Sequence, residues 1–281
     1  MSRDRLPDLR VLSLGAGVQS TALALMAASG ELPLDVAIFA DTGWEPAQVY
    51  RQLDRVEVEL RRAGIEVFRV REGNLREDAL NPDVRFVHMP LFMQFEDGGR
   101  ALGQRRCTQV YKLKPVNRKI RELLGAKPPN YRYVPRDGRY VEEWIGFSLD
   151  ELHRVSDKKK RQYIEKRYPL LELEMTRDDC KDYLKAAGWG ETAKSACIGC
   201  PFAGNKWWRH IKNEVPEEWA EAVEMDESIR NAIPGAQSFL HRSLLPLVEA
   251  DVDKLSKKEL EEEGDPDGCS PYGCISGEAV E

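Results

Sequence analysis

The chain has 281 residues, of which 42% are apolar and 8% aromatic, enough for a sizeable core and too many for wholesale disorder. Its 42 basic and 48 acidic residues leave a net charge of −6, which excludes a globally basic nucleic-acid binder and leaves room only for local basic patches. No stretch approaches the roughly 18 apolar residues of a membrane span, the first residues lack the apolar core of a secretory signal, and six cysteines point to metal or redox chemistry rather than a disulfide scaffold, so the expectation is a cytoplasmic enzyme-like domain.

Leu9 to Leu14 is a short apolar run of strand length that ends in Gly15-Ala16-Gly17. Val18, Ala22, Leu25 and Met26 then recur at helical spacing up to Gly30, a residue suited to a helix C-terminus. Leu34 to Ala40 predicts a second strand, apolar enough to be buried on both faces. Pro46 opens a second helix carrying Val49, Leu53, Val56 and Leu60, which Gly64 stops, and Ile65 to Val70 follows as a third strand. The βαβαβ order predicts right-handed crossovers in a parallel sheet, with ligands bound beyond the carboxyl ends of the strands at Gly15–Ser20, Asp41–Trp44 and Arg71–Asn74.

From Glu72 to Gln104 the pattern weakens and reads as a long functional loop. Pro115 to Leu124 predicts a short helix, Lys127 to Gly138 a surface crossing, and Val141 to Phe147 another strand. The basic stretch from Ser156 to Arg167, including Lys158–Arg161, reads as a solvated loop or lid, and Tyr168 to Leu173 as strand-like. Thr176 with Asp179 three residues on predicts a helix cap, and two helices follow around 205–213 and 216–230. The whole is an α/β fold with a doubly wound, mainly parallel sheet and a helical C-terminal part: one domain over 1–250 and an acidic, loosely held tail over 251–281.

Two constellations carry chemistry. The turn Ser13-Leu14-Gly15-Ala16-Gly17-Val18-Gln19-Ser20 lies between strand and helix, where backbone N–H groups and the helix N-terminus suit an anion, although a tight turn serving packing alone has the same form. It lacks the Gly-Lys-Ser/Thr ending of a Walker loop. Cys197-Ile198-Gly199-Cys200 is a Cys-x-x-Cys that fits an iron–sulfur site, a structural zinc or a redox dithiol. Arg105, Arg106, Lys112 and Lys114 surround Cys107 and would either lower thiolate pKa values or form a solvated basic face. Cys180, on the helix after Thr176, is either a further ligand or a small core residue.

Ala16-Gly17-Val18-Gln19 after a strand, then Phe39-Ala40-Asp41-Thr42-Gly43 with Tyr50 downstream, resembles the phosphoadenylyl-sulfate (PAPS) reductase family, of the adenine nucleotide α-hydrolase-like fold. Relatives that release pyrophosphate from ATP carry an aspartate where this chain has Gln19, a position at which the reductases commonly have Gln. The resemblance implies nucleotide contacts from Ser13, Gly15, Ala16, Gly17, Gln19, Ser20, Asp41, Thr42 and Gly43, and from Arg154 after the fourth strand. Cys107-Thr108-x-x-x-Lys112-x-x-Pro115 is similar to the Cys-Cys-x-x-x-Lys-x-x-Pro segment of the iron–sulfur reductases, with Thr108 in place of the second cysteine. The resemblance implies a [4Fe–4S] cluster on Cys107, Cys197 and Cys200, with Cys180 as candidate fourth ligand, and zinc as the alternative metal. It also implies a catalytic thiolate, Cys269 or Cys274, aided by Lys112, that attacks a sulfonucleotide and is turned over by a thioredoxin-like reductant. The tail departs from the family's Glu-Cys-Gly-x-His pattern. The second reading is a [4Fe–4S]-dependent sulfurtransferase that thiolates tRNA or modifies DNA with ATP adenylation, an open iron carrying sulfide if Cys180 stays unbound. The third is a non-catalytic, zinc-stabilised nucleotide-binding protein.

Overall fold

The computed structural model describes residues 5–81, 83, 88–127, 138–155, 161–190, 192 and 195–255. Its frame is a five-stranded sheet of β1 (Leu9–Leu14), β2 (Val36–Ala40), β3 (Glu66–Val70), β6 (Val141–Trp144) and β7 (Ile164–Arg167). Every pairing is parallel, in the order β3-β2-β1-β6-β7. This mainly parallel sheet with helices on both faces is the expected doubly wound α/β architecture.

Strand alternation divides the apolar residues between two cores. Leu12, Leu14, Ala37, Phe39, Val67 and Trp144 face α1 (Val18–Ala28), α2 (Ala47–Arg62) and α6 (Arg177–Ala186). Val11, Val36, Ile38, Ala40 and Val141 face α4 (Lys114–Leu123), which offers Val116 and Ile120. Helix α2 buries Val49, Leu53, Val56 and Leu60, the stripe its spacing predicts, and Gly64 takes the left-handed φ of +79° that ends it. The Thr176–Asp179 capping box opens α6 as expected.

A third core lies beyond the sheet. It joins Trp44, from the loop after β2, to Tyr111, to Trp207 and Trp208 of α7 (Asn205–Glu214) and to Met225 of α8 (Pro216–Ser228). The paired tryptophans are therefore core residues.

Three segments differ from the sequence reading. The stretch from Glu72 to Gln104 holds α3 (Leu75–Leu80), β4 (Phe92–Phe95) and β5 (Arg100–Leu102). β4 and β5 form a second, antiparallel sheet with β8 (Ala236–Phe239). β4 and β5 are a local hairpin, but the strand that completes their sheet, β8, is more than a hundred residues away. The charged end of the expected basic loop is β7, an edge strand, where Glu165, Lys166 and Arg167 are compatible with pairing on one side only. Residues 156–160 lie outside the described residues. The strand-like Tyr168 to Leu173 is instead a short helix, α5 (Pro169–Glu172), with Pro169 in its first turn.

Candidate functional site

The glycine turn is held rigidly at the carboxyl end of β1. Ala16 adopts a left-handed φ of +53°, and its carbonyl accepts a 2.6 Å hydrogen bond from Gln52 Nε2. Ser20 Oγ accepts from the Gly15 N–H at 3.2 Å. Ser195 Oγ donates to the Gly15 carbonyl, and a Cβ on Gly17 would stand 3.1 Å from the Ser195 Cβ. Gly17 is thus a position of close approach between two distant chain segments. Gln19, on the first turn of α1, donates to Glu151 at 3.2 Å. The predicted turn residues Gly15, Ala16, Gly17, Gln19 and Ser20 therefore sit together. Ser13 does not join them, because strand alternation turns its hydroxyl to the buried Glu143 of β6, at 2.8 Å.

Asp41, Thr42 and Gly43 follow β2, and they divide between two tasks. The Asp41 carboxylate accepts from the Gly43 N–H at 2.8 Å and the Tyr50 hydroxyl at 2.7 Å, and pairs with Arg71 at 2.7 Å. Burial, reinforced by that carboxylate, pushes the Tyr50 phenol above its ordinary range. Gly43 has a φ of +78°, and a Cβ there would lie 2.8 Å from Asn74. Thr42 points away from Asp41 and into the protein. Its Oγ1 donates to Glu45 Oε1 at 3.0 Å and lies 3.4 Å from Cys197 Sγ. This hydroxyl thus links the loop after β2 to the Cys197 thiol.

Cys107 begins a π-helical turn that continues through Thr108–Leu113 into α4. Wide turns of this kind are rare and recur at functional sites. Here it aims Cys107, Thr108 and Lys112 into one space. The Cys107 N–H is fixed to the His88 carbonyl at 2.8 Å. Lys112 is only 6% exposed, and its Nζ stands 3.5 Å from Glu45 Oε1. Lys114 instead pairs with Glu72, as does Arg118, so the basic cluster of the sequence splits between cavity and surface.

The Cys-x-x-Cys turn hangs on the loop after β2. The Ile198 N–H donates to the Trp44 carbonyl at 3.0 Å, and the Trp207 indole donates to the Ile198 carbonyl at 3.1 Å. The Trp44 ring covers Gly199 so closely that a Cβ there would overlap it, while Trp44 Nε1 donates to Glu221 of α8 at 2.9 Å. Cys197 Sγ is 3.7 Å from Glu45 Oε1.

These elements line a partly open cavity whose walls include Thr42, Cys107, Thr108, Lys112, Cys197 and Cys200. Three predicted thiols thus share one cavity, and Ser195 ties it to the glycine turn two residues before Cys197. Among the described residues, no three His, Cys, Asp or Glu side chains converge as a single metal ion would require. A four-iron cluster makes a different demand, since each iron takes its own thiolate and the ligands stand around a space rather than at a point. The donor set of three thiols beside Lys112 and Arg105 fits such an anionic group in softness and in charge.

Cys180 is not part of this set. It is 0% exposed in the core beneath α1 and α6, and burial pushes its thiol up to about 12. A thiol so placed is an inert apolar residue, which corrects the expectation of a fourth ligand. Arg154 reaches the turn's neighbourhood, but it is paired with Glu151, the same carboxylate that accepts from Gln19. Cys269 and Cys274 lie outside the described residues.

Sequence reasoning missed Glu45, Thr108, Glu151 and Ser195. Glu45 carries a readable signal in hindsight, a carboxylate between Trp44 and the helix-opening Pro46, within reach of an Asp-Thr-Gly loop. Ser195 and Glu151 carry none, because their roles depend on long-range packing.

Residues 10–127 match the family model of the phosphoadenosine phosphosulfate reductase domain. The match spans the glycine turn, the Asp41 loop and the Cys107 turn, and ends before Arg154 and the Cys197–Cys200 pair. No curated protein matches the chain. Among solved structures, the chain is similar to the U34-tRNA thiolase NcsA from Methanococcus maripaludis, solved with its [4Fe–4S] cluster, at 12% identity and a TM-score of 0.41, over 79% of this chain and 73% of that one. No helix among the described residues is long and apolar enough to cross a membrane.

Proposed function

We propose that this protein, with its match to the phosphoadenosine phosphosulfate reductase domain, is an iron–sulfur enzyme of sulfur chemistry that binds an adenine nucleotide at the turn after β1 and a [4Fe–4S] cluster at Cys107, Cys197 and Cys200. The observation that carries this reading is the shared cavity: three cysteines from two distant segments meet beside Lys112, one short step from the glycine turn. Zinc is the weaker fit, since its tetrahedral site needs sulfurs about 3.8 Å apart around one point.

Because Cys180 is core, the described residues offer three thiols and no fourth, which favours sulfur transfer over sulfonucleotide reduction. When bound, the cluster supplies an iron site for a sulfur ligand. The chain's own residues do the rest. The N-terminus of α1 and Gln19 receive the nucleotide's phosphates, for which Glu151 has to yield Gln19 and Arg154. Lys112 stabilises negative charge in the cavity, and Asp41, anchored by Tyr50 and Arg71, fixes the loop between the two sites. In the transfer, a carbonyl oxygen of a nucleic-acid base attacks the α-phosphorus of ATP and pyrophosphate leaves. A sulfur nucleophile then bonds to that carbon, and AMP departs with the oxygen.

Gln19 and the family match support a second reading, reduction of adenylyl- or phosphoadenylyl-sulfate. There a tail thiolate, Cys269 or Cys274, bonds to the sulfate sulfur, the nucleotide leaves, and a thioredoxin dithiol releases sulfite as it oxidises to its disulfide. The test is anaerobic reconstitution with iron and sulfide counts, followed by two assays. Four irons and four sulfides per chain, lost in Cys107→Ser, Cys197→Ser and Cys200→Ser, are expected. Nucleic-acid-dependent pyrophosphate release then identifies sulfur transfer, and sulfite release with thioredoxin identifies reduction. One zinc without inorganic sulfide would overturn both.

A further inference from the structure

The arginine beside the glycine turn already has an anionic partner. Arg154 closes the 3₁₀ turn Leu149–Arg154 that follows β6, and its side chain is 3% exposed. Its guanidinium carbon lies 5.1 Å from the ring centre of Phe147, which stacks on Tyr168, so its place is fixed independently of any ligand. A guanidinium keeps its charge at every working pH, and a buried charge needs a partner. In this structure the partner is Glu151, three residues earlier, whose side chain is itself only 15% exposed.

Glu151 spreads its two oxygens as a phosphate would. Oε1 pairs with Arg154, and Oε2 accepts from Gln19 Nε2 at 3.2 Å. One donor belongs to the first turn of α1 and the other to the turn after β6, so the carboxylate bridges two distant segments. Those segments are fastened without it. A Cβ on Gly146 would stand 3.2 Å from the Ser20 N, the Leu149 N–H donates to the Met175 carbonyl at 2.9 Å, and Asp150 accepts from the Arg177 N–H at 2.6 Å. Glu151 is the residue of the turn whose backbone departs from helical values, at φ −109° and ψ 16°. Its carboxylate can leave by rotation of a flexible side chain while both donors stay in place.

We propose that Glu151 is a specificity-determining residue: its carboxylate holds the anion place of the nucleotide site in the empty protein, and a ligand enters by exchanging its own anionic group for it. Resting on the nucleotide reading above, this adds a rule of selection. Exchanging one negative charge for another gains little. A phosphate that carries close to two charges at neutral pH, with three acceptor oxygens, gains on Arg154 and Gln19 together. Adenosine has nothing to exchange and leaves the Glu151–Arg154 pair intact. No covalent bond is made or broken in this step.

The test is equilibrium binding of AMP and of adenosine to the anaerobically reconstituted full chain, with thermal melting in parallel. Glu151→Gln removes the charge and keeps the shape. It should bind AMP about tenfold more tightly than the parent and bind adenosine equally, since the cost of displacing a charged partner falls on AMP alone. Without ligand the variant should melt below the parent, because Arg154 keeps its charge and loses its partner. AMP should then raise its melting temperature by more than it raises the parent's. Glu151→Ala should shift AMP affinity in the same direction. AMP binding unchanged or weakened in both variants overturns the proposal and makes Glu151 a residue that only holds Arg154 in position. Equal tightening of AMP and adenosine overturns it too, because a loosened pocket rather than a vacated anion place would then be responsible. A parent that binds neither AMP nor ATP overturns the nucleotide reading, and the proposal with it.

Discussion

Residues 9–70 and residues 195–239 both contribute to the same site, yet they acquire their structure in different ways. The first region is self-sufficient: strands and helices alternate, each apolar stripe finds its neighbour within about thirty residues, and glycines mark the helix ends. The second packs α7 on α8 but is placed by contacts from elsewhere. Its Cys-x-x-Cys turn hangs on the Trp44 carbonyl, Ser195 leans on Gly15 and Gly17, and β8 completes a sheet begun by β4. The lesson is that the half bearing the glycine turn can be built largely from local pattern, whereas the half bearing the Cys-x-x-Cys turn is placed by docking onto it.

Three substitutions sharpen that contrast. The largest effect is expected where docking is tightest. Gly199→Ala pushes a methyl into the Trp44 ring, an overlap the stacked indole cannot relieve without leaving Glu221. Loss of about 3 kcal/mol is expected, read as a lowered denaturant midpoint together with loss of iron uptake. A full-length variant with unchanged midpoint would show that the second region does not depend on that contact.

Cys180→Ala probes the first region instead. Removing a buried sulfur from the α1–α6 core should cost about 1 kcal/mol and leave iron and sulfide counts unchanged. Loss of iron without loss of stability would return Cys180 to the ligand set.

The smallest effect concerns the seam between the regions. Glu218 of α8 accepts from the Ala47 N–H at 2.8 Å, capping α2 from outside. Burial, with the nearby Glu221 charge, raises its carboxyl above the ordinary range despite that hydrogen bond. A folded-state pKa above the unfolded one means that its contribution is complete at acid pH and is lost as pH rises through the raised value. Glu218→Gln keeps the acceptor and removes the charge. It should raise the melting temperature at neutral pH, by a margin that closes on acidification. A margin independent of pH would mean that the carboxylate is not strained at the seam.

The same contrast explains what the sequence made legible. Strand ends, the glycine turn, the Thr176 cap and the stripe on α2 follow from spacing of two or of three to four residues, and all were readable. So was the meeting of Cys107 with Cys197 and Cys200, though through family resemblance rather than through any local signal. β4 and β5 form a short hairpin around Gly98-Gly99 whose strands carry little apolar alternation and whose sheet is completed by the remote β8, and β7 was hidden because its charges look like those of a solvated loop. The turn of Ser13 away from the glycine loop was readable from strand alternation alone, since Leu12 and Leu14 flank it on the opposite face. Glu151 was not, because only the folded chain brings its carboxylate to Gln19.

The route of the chain through the Ser195–Gly17 contact bears on biosynthesis. On the ribosome, the parallel strands up to β3 emerge more than a hundred residues ahead of Cys197 and Cys200. At roughly 5–20 residues per second, several seconds pass during which Cys107, once made, faces its cavity without the opposing wall. Any inorganic centre at these thiols must therefore be installed after translation has passed residue 200, so its delivery is a step separate from the folding of the sheet that supports it.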